Sequence, residues 1–179
     1  YLFFLGNTDP KKNTPGTLKA YAEYVRRSEN PLPLLVADLG EQPAEAILRE
    51  IGEPRLRGML RLAGYIPNSD LPAIYNRASA FLYTSLRESF GIPQLEAMAC
   101  GTPVVTSATS AIPEVAGEGA ILVDPTDPKA IADALLRLET DAAFRARQVA
   151  YGLERVKRFS WEKTARHLLA LYESLGKTN

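Results

Sequence analysis

Short apolar runs alternate with longer amphipathic stretches along the chain. Runs bounded by turn residues fall at 1–5, 32–38, 60–66, 79–84, 103–107 and 120–124, and read as buried strands. Apolar positions at three- and four-residue spacing predict helices over 14–28, 43–57, 69–77, 93–100, 128–139, 141–157 and 160–175, with a short turn near 112–117. Strands alternating with helices imply a mostly parallel sheet with helices on both faces, a doubly wound α/β fold. Such folds bind ligands at the carboxyl ends of the strands, near the switch point. Gly6, the pair Tyr65-Ile66 and residues 85–88 all follow predicted strands, so the candidate residues converge on that edge.

The run from Thr84 to Ser110 carries the most chemistry. After the strand at 79–84 the chain breaks at Gly91. Pro93 suits the first helical position, Gly101 suits the position just past a helix end, and Pro103 bars continuation. The helix expected over 93–100 has Leu95, Met98 and Ala99 as candidates for its buried face. Helical side chains lean toward the N-terminus, which aims Glu96 back at the loop that Glu88 borders on its other side. Two carboxylates then face a turn whose exposed amides favour an anion. A ligand with hydroxyls and phosphates suits that place.

The loop Gly6-Asn7-Thr8-Asp9-Pro10-Lys11-Lys12-Asn13 joins the first strand to a helix that Asn13 or Thr14 can cap, with Pro15 near its first position. Two lysines beside a helix N-terminus oppose the macrodipole, and make better sense with an anion between them and the helix end. G-x-G-x-x-G is absent, since the glycine after Gly6 is Gly16, which argues against a dinucleotide oxidoreductase.

Composition narrows the field. The 179 residues suit one domain with a substantial core, and 46% hydrophobic and 23% charged residues are ordinary for a globular chain. Lys+Arg and Asp+Glu both number 21, so no net attraction to nucleic acid is built in. The single cysteine, Cys100, excludes an internal disulfide framework and fits a reducing compartment; it reads as a small apolar filler late in its helix. No apolar stretch approaches the roughly 20 residues that cross a bilayer, and there is no basic-then-apolar leader.

The segment ESFGIPQLE resembles the Glu-x7-Glu motif of the group 1 family of retaining glycosyltransferases of the GT-B type. FFLGNTDPKKN, GYIPNSDLPAIYNRAS, SAIPEVAGEGAILVDP and FSWEKTARHLLALY match further phrases of that family, in its order and spacing, over nearly the whole chain. The resemblance implies one half of a GT-B fold: a Rossmann-like domain over 1–175 that binds the nucleotide-sugar donor, followed by a tail at 176–179. The acceptor-binding domain would precede Tyr1, where the chain opens on a strand without Met.

By the same resemblance, Glu88 acts at the transferred sugar, binding its hydroxyls or stabilising positive charge at the anomeric carbon. Glu96 accepts hydrogen bonds from the ribose, and Lys12 contacts the diphosphate. Gly6, Asn7 and Lys11 belong to the same loop, and Asn7 stands where many members carry arginine. Ser89, Phe90, Gly91 and Ile92 offer backbone amides to sugar and phosphates, and Ile66, next to Tyr65, meets the base. No Asp-x-Asp motif appears, so neither metal nor cofactor is expected beyond the donor itself. The implied reaction moves a hexose from a nucleoside diphosphate sugar to a glycan or lipid-linked acceptor, with mannose from GDP-mannose as first choice. The implied setting is cytoplasmic, with peripheral contact at the inner face of the membrane as an option. Two rivals are a nucleotide-sugar epimerase of similar shape and a non-catalytic binding module.

The last helix carries a stripe of Trp161, Ala165, Leu168, Tyr172 and Leu175, with Ser160 placed as its cap. Packing of this stripe on the sheet domain is the expectation, with a contact to the preceding domain as the alternative. His167, the only histidine, reads as solvated helix surface.

Overall fold

The computed structural model describes residues 1–176. Among them, six strands form one parallel sheet: β1 (Leu2–Leu5), β2 (Leu34–Ala37), β3 (Leu60–Gly64), β4 (Ala80–Tyr83), β5 (Val104–Ser107) and β6 (Ile121–Val123). Their spatial order is β3-β2-β1-β4-β5-β6. The chain therefore winds outward from β1 in one direction as far as β3, then returns to the centre at β4 and winds the other way.

Every residue of β1 and β4 follows the two-residue alternation of a sheet covered on both faces. Leu2, Phe4, Ala80 and Leu82 belong to one core with Leu34, Val36, Leu60, Val105 and Val123. On that face lie α1 (Thr14–Arg27), α2 (Glu41–Glu50) and α6 (Pro128–Thr140), which contribute Leu18, Tyr21, Leu48, Ile131 and Leu135. Phe3, Phe81 and Tyr83 point the other way, into a core completed by α3 (Leu71–Arg77), α4 (Ile92–Ala99) and α5 (Ile112–Ala116). Phe3 and Phe81 are fully buried, and each such ring stabilises the fold by about 1.5–3 kcal/mol through apolar burial.

The element boundaries differ from expectation in instructive places. The helix predicted over 43–57 starts at Glu41 and ends at Glu50; Gly52, at φ 77°, turns the chain, and Pro54 opens a separate 3-10 turn to Met59. α4 begins one residue early, with Gly91 as its N-cap and Pro93 second. Its buried face also differs. Met98 is buried as expected and Leu95 half-buried, but Ala99 is exposed, while Gln94 and Ala97 are fully buried. Cys100 caps the end of α4 and packs at the edge of the second core, where burial and the nearby Glu96 charge push its thiol pKa up.

The largest correction concerns the C-terminus. α7 (Ala142–Val156) packs against the domain, but α8 (Trp161–Gly176) does not. Ser160 caps α8 as predicted, its Oγ accepting from the Lys163 amide at 3.1 Å, yet no residue of the helix is buried. Trp161 is 79% exposed and the stripe from Leu168 to Leu175 is open. His167 is exposed, as the sequence implied. Gly176, the first residue of the predicted tail, is helical within α8; the others, 177–179, lie outside the described residues.

Candidate functional site

Between β1 and β4 the chain leaves its strands in opposite directions, which opens a crevice at their carboxyl ends. Residues 6–13 form one wall and residues 84–91 the other. The walls are tied together. The Leu86 amide donates to the Lys11 carbonyl at 2.7 Å. Asn13 Nδ2 donates to the carbonyls of Thr84 at 3.1 Å and Pro125 at 2.8 Å. The buried hydroxyls of Thr17 and Thr84 share a hydrogen bond of 2.5 Å. Asn13 sits at φ 57°, a left-handed conformation that asparagine tolerates better than most residues. Gly16 is what makes room for it, since a Cβ there would collide with the Asn13 side chain. Neither predicted cap residue caps α1 with its side chain: Asn13 bridges the walls, and the Thr14 hydroxyl donates to the Asn7 carbonyl at 2.6 Å. Asp9 instead caps a 3-10 turn at Pro10–Lys12 that the pattern did not predict.

Lys12 Nζ donates to Glu88 Oε1 at 2.7 Å, with side-chain exposures of only 21% and 15%. The anion demanded by a lysine beside the α1 N-terminus is thus supplied by the chain itself. Burial pushes the Glu88 pKa up, but the Lys12 hydrogen bond and charge, with help from Ser85 and Tyr83, hold it below the ordinary carboxylate range. The Lys12 ammonium also lies 5.5 Å from the centre of the Tyr83 ring. The Glu88 backbone is fixed from the other side: its amide donates to Ser110 Oγ at 3.0 Å, and that hydroxyl donates back to the Glu88 carbonyl at 3.2 Å. Lys11 differs from its neighbour. It is half exposed and pairs with Asp9 at 3.2 Å, a surface pair of small energetic weight.

Glu96 stands exposed on α4, and its Oε2 accepts from the Tyr75 hydroxyl at 3.2 Å. Tyr75 is itself buried in a chain of aromatic contacts. Its ring meets Phe3 at 5.4 Å and Phe81 at 5.1 Å, and Phe81 stacks on Tyr83 at 5.8 Å. Burial raises the pKa of both phenols, and the carboxylates raise it further: Glu96 acts on Tyr75, and both Glu88 and Glu96 act on Tyr83. Tyr75 and Tyr83 therefore stay protonated, one donating to Glu96 and the other standing within reach of both carboxylates.

Gly91, at φ 90°, turns the second wall into α4. Its lack of a Cβ is required twice over, by the left-handed backbone and by the Gln94 side chain, 2.7 Å from where that atom would stand. Gln94 is buried because it serves the loop: Nε2 donates to the Phe90 carbonyl at 3.4 Å, and its Oε1 accepts from Thr106 at 3.2 Å. The amides of Ser89, Phe90 and Gly91 have no protein acceptor among the described residues, and they run directly into the N-terminus of α4. Phe90 and Ile92 expose their side chains, at 43% and 44%.

The structure thus brings Lys12, Glu88, Ser89, Phe90, Gly91, Ile92 and Glu96 to one crevice. Gly6 and Asn7 border it as scaffolding. The Gly6 amide is taken by the Ala37 carbonyl at 3.2 Å, and a Cβ there would collide with the Phe4 ring. Asn7 Oδ1 accepts from the Asp9 amide at 2.9 Å. Ile66 follows β3 at the far end of the sheet, half-buried against the second core, while Tyr65 beside it is 78% exposed. Tyr75, Tyr83, Gln94 and Ser110 were not singled out in the sequence, and Asn13 was read only as a helix cap; the one available signal was that Tyr83 ends a fully apolar strand directly before the motif. No cluster of metal-ligating side chains occurs among the described residues.

The family model described as glycosyl transferases, group 1, matches residues 1–155. The O-antigen chain mannosyltransferase B of Escherichia coli is 34% identical over 98% of this chain and 46% of its own length. The serotype-specific mannosyltransferase WbdA of the same species is 32% identical over 92% of this chain and 20% of its own. The chain thus spans about half of the first relative and a fifth of the second. Among solved structures, the sucrose-phosphate synthase of Thermosynechococcus elongatus superposes with a TM-score of 0.82 at 28% identity, covering 99% of this chain and 46% of that one.

Proposed function

Because the chain belongs to the group 1 glycosyltransferases, we propose that it forms the donor-binding half of a retaining GT-B enzyme. That enzyme would transfer a hexose, mannose first, from a nucleoside diphosphate sugar to a glycan or lipid-linked acceptor. The observation that carries this reading is the convergence at one switch point of Lys12, Glu88, three unpaired amides and Glu96. A diphosphate needs a cation and amides, and Lys12 with residues 89–91 supplies both. A ribose diol needs an anionic acceptor, and Glu96 supplies one, oriented by Tyr75.

The ion pair gives the site an order of events. With no donor bound, Lys12 and Glu88 neutralise each other. An arriving diphosphate competes for the ammonium and releases the Glu88 carboxylate toward the sugar. As the bond to the leaving diphosphate breaks, Lys12, the amides and the α4 dipole hold the departing charge, without a metal. Glu88 then faces the positive charge developing at the anomeric carbon. The acceptor would bind to a further domain. A cytoplasmic setting, beside the membrane when the acceptor is lipid-linked, follows from this reading.

Mannose as first choice rests on the two mannosyltransferase relatives. Calorimetry with GDP, UDP and ADP tests the proposal. Saturable binding is expected, tightest for GDP, weaker for GMP and weaker again for guanosine. Absence of binding for all three diphosphates overturns the donor reading and leaves a non-catalytic module.

A further inference from the structure

The segment between α7 and α8 reaches back to the second wall of the crevice. Phe159 packs edge-on against Phe90, with ring centres 5.8 Å apart and planes at 88°. The Arg155 guanidinium lies 5.2 Å from the centre of the Phe159 ring. Its Nε donates to the Val115 carbonyl at 2.9 Å, and Nη2 donates to the Glu114 carbonyl. Both acceptors are in the last turn of α5, where carbonyls lack helical partners and a cation is favoured. α5 begins two residues after Ser110, which exchanges two hydrogen bonds with the Glu88 backbone.

These contacts close a ring. It runs from Glu88 to Ser110, through α5 to Arg155, across to Phe159 and Phe90, and back along the chain to Glu88. Glycines admit the arginine into it. A Cβ at Gly117 would stand 3.0 Å from the guanidinium carbon, and one at Gly119 would stand 2.8 Å from the Arg155 Cβ. Gly152 brings α7 against Met98 of α4, 3.2 Å from where its own Cβ would be. Arg155 directs its hydrogen bonds to backbone carbonyls, as a clamp does.

We propose that Arg155 and Phe159 are positioning residues for the second wall, holding residues 88–91 in the shape that presents their amides and the Glu88 carboxylate to a donor. The C-terminal segment thereby sets donor affinity without touching the donor. This rests on the donor-site reading above, and it adds a determinant outside the Glu-x7-Glu segment.

Two measurements on the same chain test it. Exchange of the Glu88 amide, which Ser110 protects, is followed by NMR without ligand, with the amides of Leu86, Phe3 and Phe4 as internal controls. GDP and UDP affinities are measured by calorimetry. Phe159→Ala should speed Glu88 exchange about fivefold, the effect of losing one edge-to-face ring contact, and weaken GDP by a similar factor. The controls should not move. Phe159→Tyr should restore both quantities, and Arg155→Lys, which keeps the charge but loses the planar fork and its packing on Phe159, should fall between. Unchanged Glu88 exchange in both Phe159→Ala and Arg155→Lys, with GDP bound normally, overturns the proposal and leaves the donor reading standing. Faster exchange with unchanged GDP affinity also overturns it. A wild-type chain that binds neither GDP nor UDP removes the donor reading, and this proposal with it.

Discussion

The walls of the crevice and helix α8 are both amphipathic, and they meet opposite fates. At the crevice each polar side chain that enters the interior has a named partner: Asn13 holds two carbonyls, Gln94 bridges Phe90 and Thr106, and Lys12 meets Glu88. In α8 the polar face is solvated and the apolar face is solvated too, with Tyr172 66% exposed and Leu175 63%. The contrast separates two kinds of information. Hydrophobic periodicity states that a face is built to be covered, but it does not state by what. A crevice held by many polar contacts to one's own chain is complete as a scaffold before any ligand arrives.

Four perturbations break or sharpen this contrast. The largest effect is expected from Lys12→Ala, which leaves Glu88 half-buried without its cation and removes the charge proposed to face the diphosphate. Loss of about 2–3 kcal/mol of GDP affinity is expected, with guanosine binding unchanged. Equal losses for GDP and guanosine would mean that Lys12 shapes the fold and not the phosphate site. Next, Glu96→Gln should cost about 1–3 kcal/mol of GDP affinity, and 2′-deoxy-GDP should show a matching loss against the wild type. Equal binding of GDP by mutant and wild type would remove Glu96 from the ribose.

The third effect is smaller and depends on pH. Since the Glu88 pKa is lowered on folding, its ionised form contributes stability that is complete above the ordinary glutamate range and lost as pH falls through the depressed folded value. Wild-type stability should therefore fall more steeply than that of Glu88→Gln as pH drops through and below that range. Parallel acid profiles in chemical denaturation would show that the pair with Lys12 contributes nothing to the fold. The smallest effect is expected from deleting α8 after Phe159. With nothing buried in that helix, unfolding free energy should change by no more than about 0.5 kcal/mol. A large loss would mean that α8 does pack on the sheet in solution.

Much of the fold was legible because parallel sheets write their strands as uninterrupted apolar runs, as in Leu-Phe-Phe-Leu of β1 and Ala-Phe-Leu-Tyr of β4. The early end of α2 was signalled by Gly52 and Pro54, and amphipathicity outweighed that punctuation. The buried face of α4 was misjudged at Gln94 because burial of an amide depends on partners in other elements, one of which, Thr106, lies on β5. Lys12 and Glu88 were each legible as site residues, from helix-end electrostatics and motif spacing. Their pairing was not, since it depends on β1 and β4 being neighbours in the sheet. The ties through Asn13, Ser110 and Arg155 left no periodic trace, since each is a single side chain reaching a distant carbonyl or backbone group.

The central place of β1 also bears on how this chain reaches its fold. Leu2 pairs with Leu34 on one side and with Ala80 on the other, so the sheet's middle strand must recruit a partner from beyond both α2 and α3. The half formed by β1, β2 and β3 can assemble from nearby segments, but joining β4 requires closing a long loop before any pairing energy is returned. Until then β1 and β4 each present an unpaired, wholly apolar edge, the feature most prone to intermolecular pairing. Docking of β4 is therefore the expected slow step of folding, and the crevice, whose walls hang from those two strands, comes into being with it.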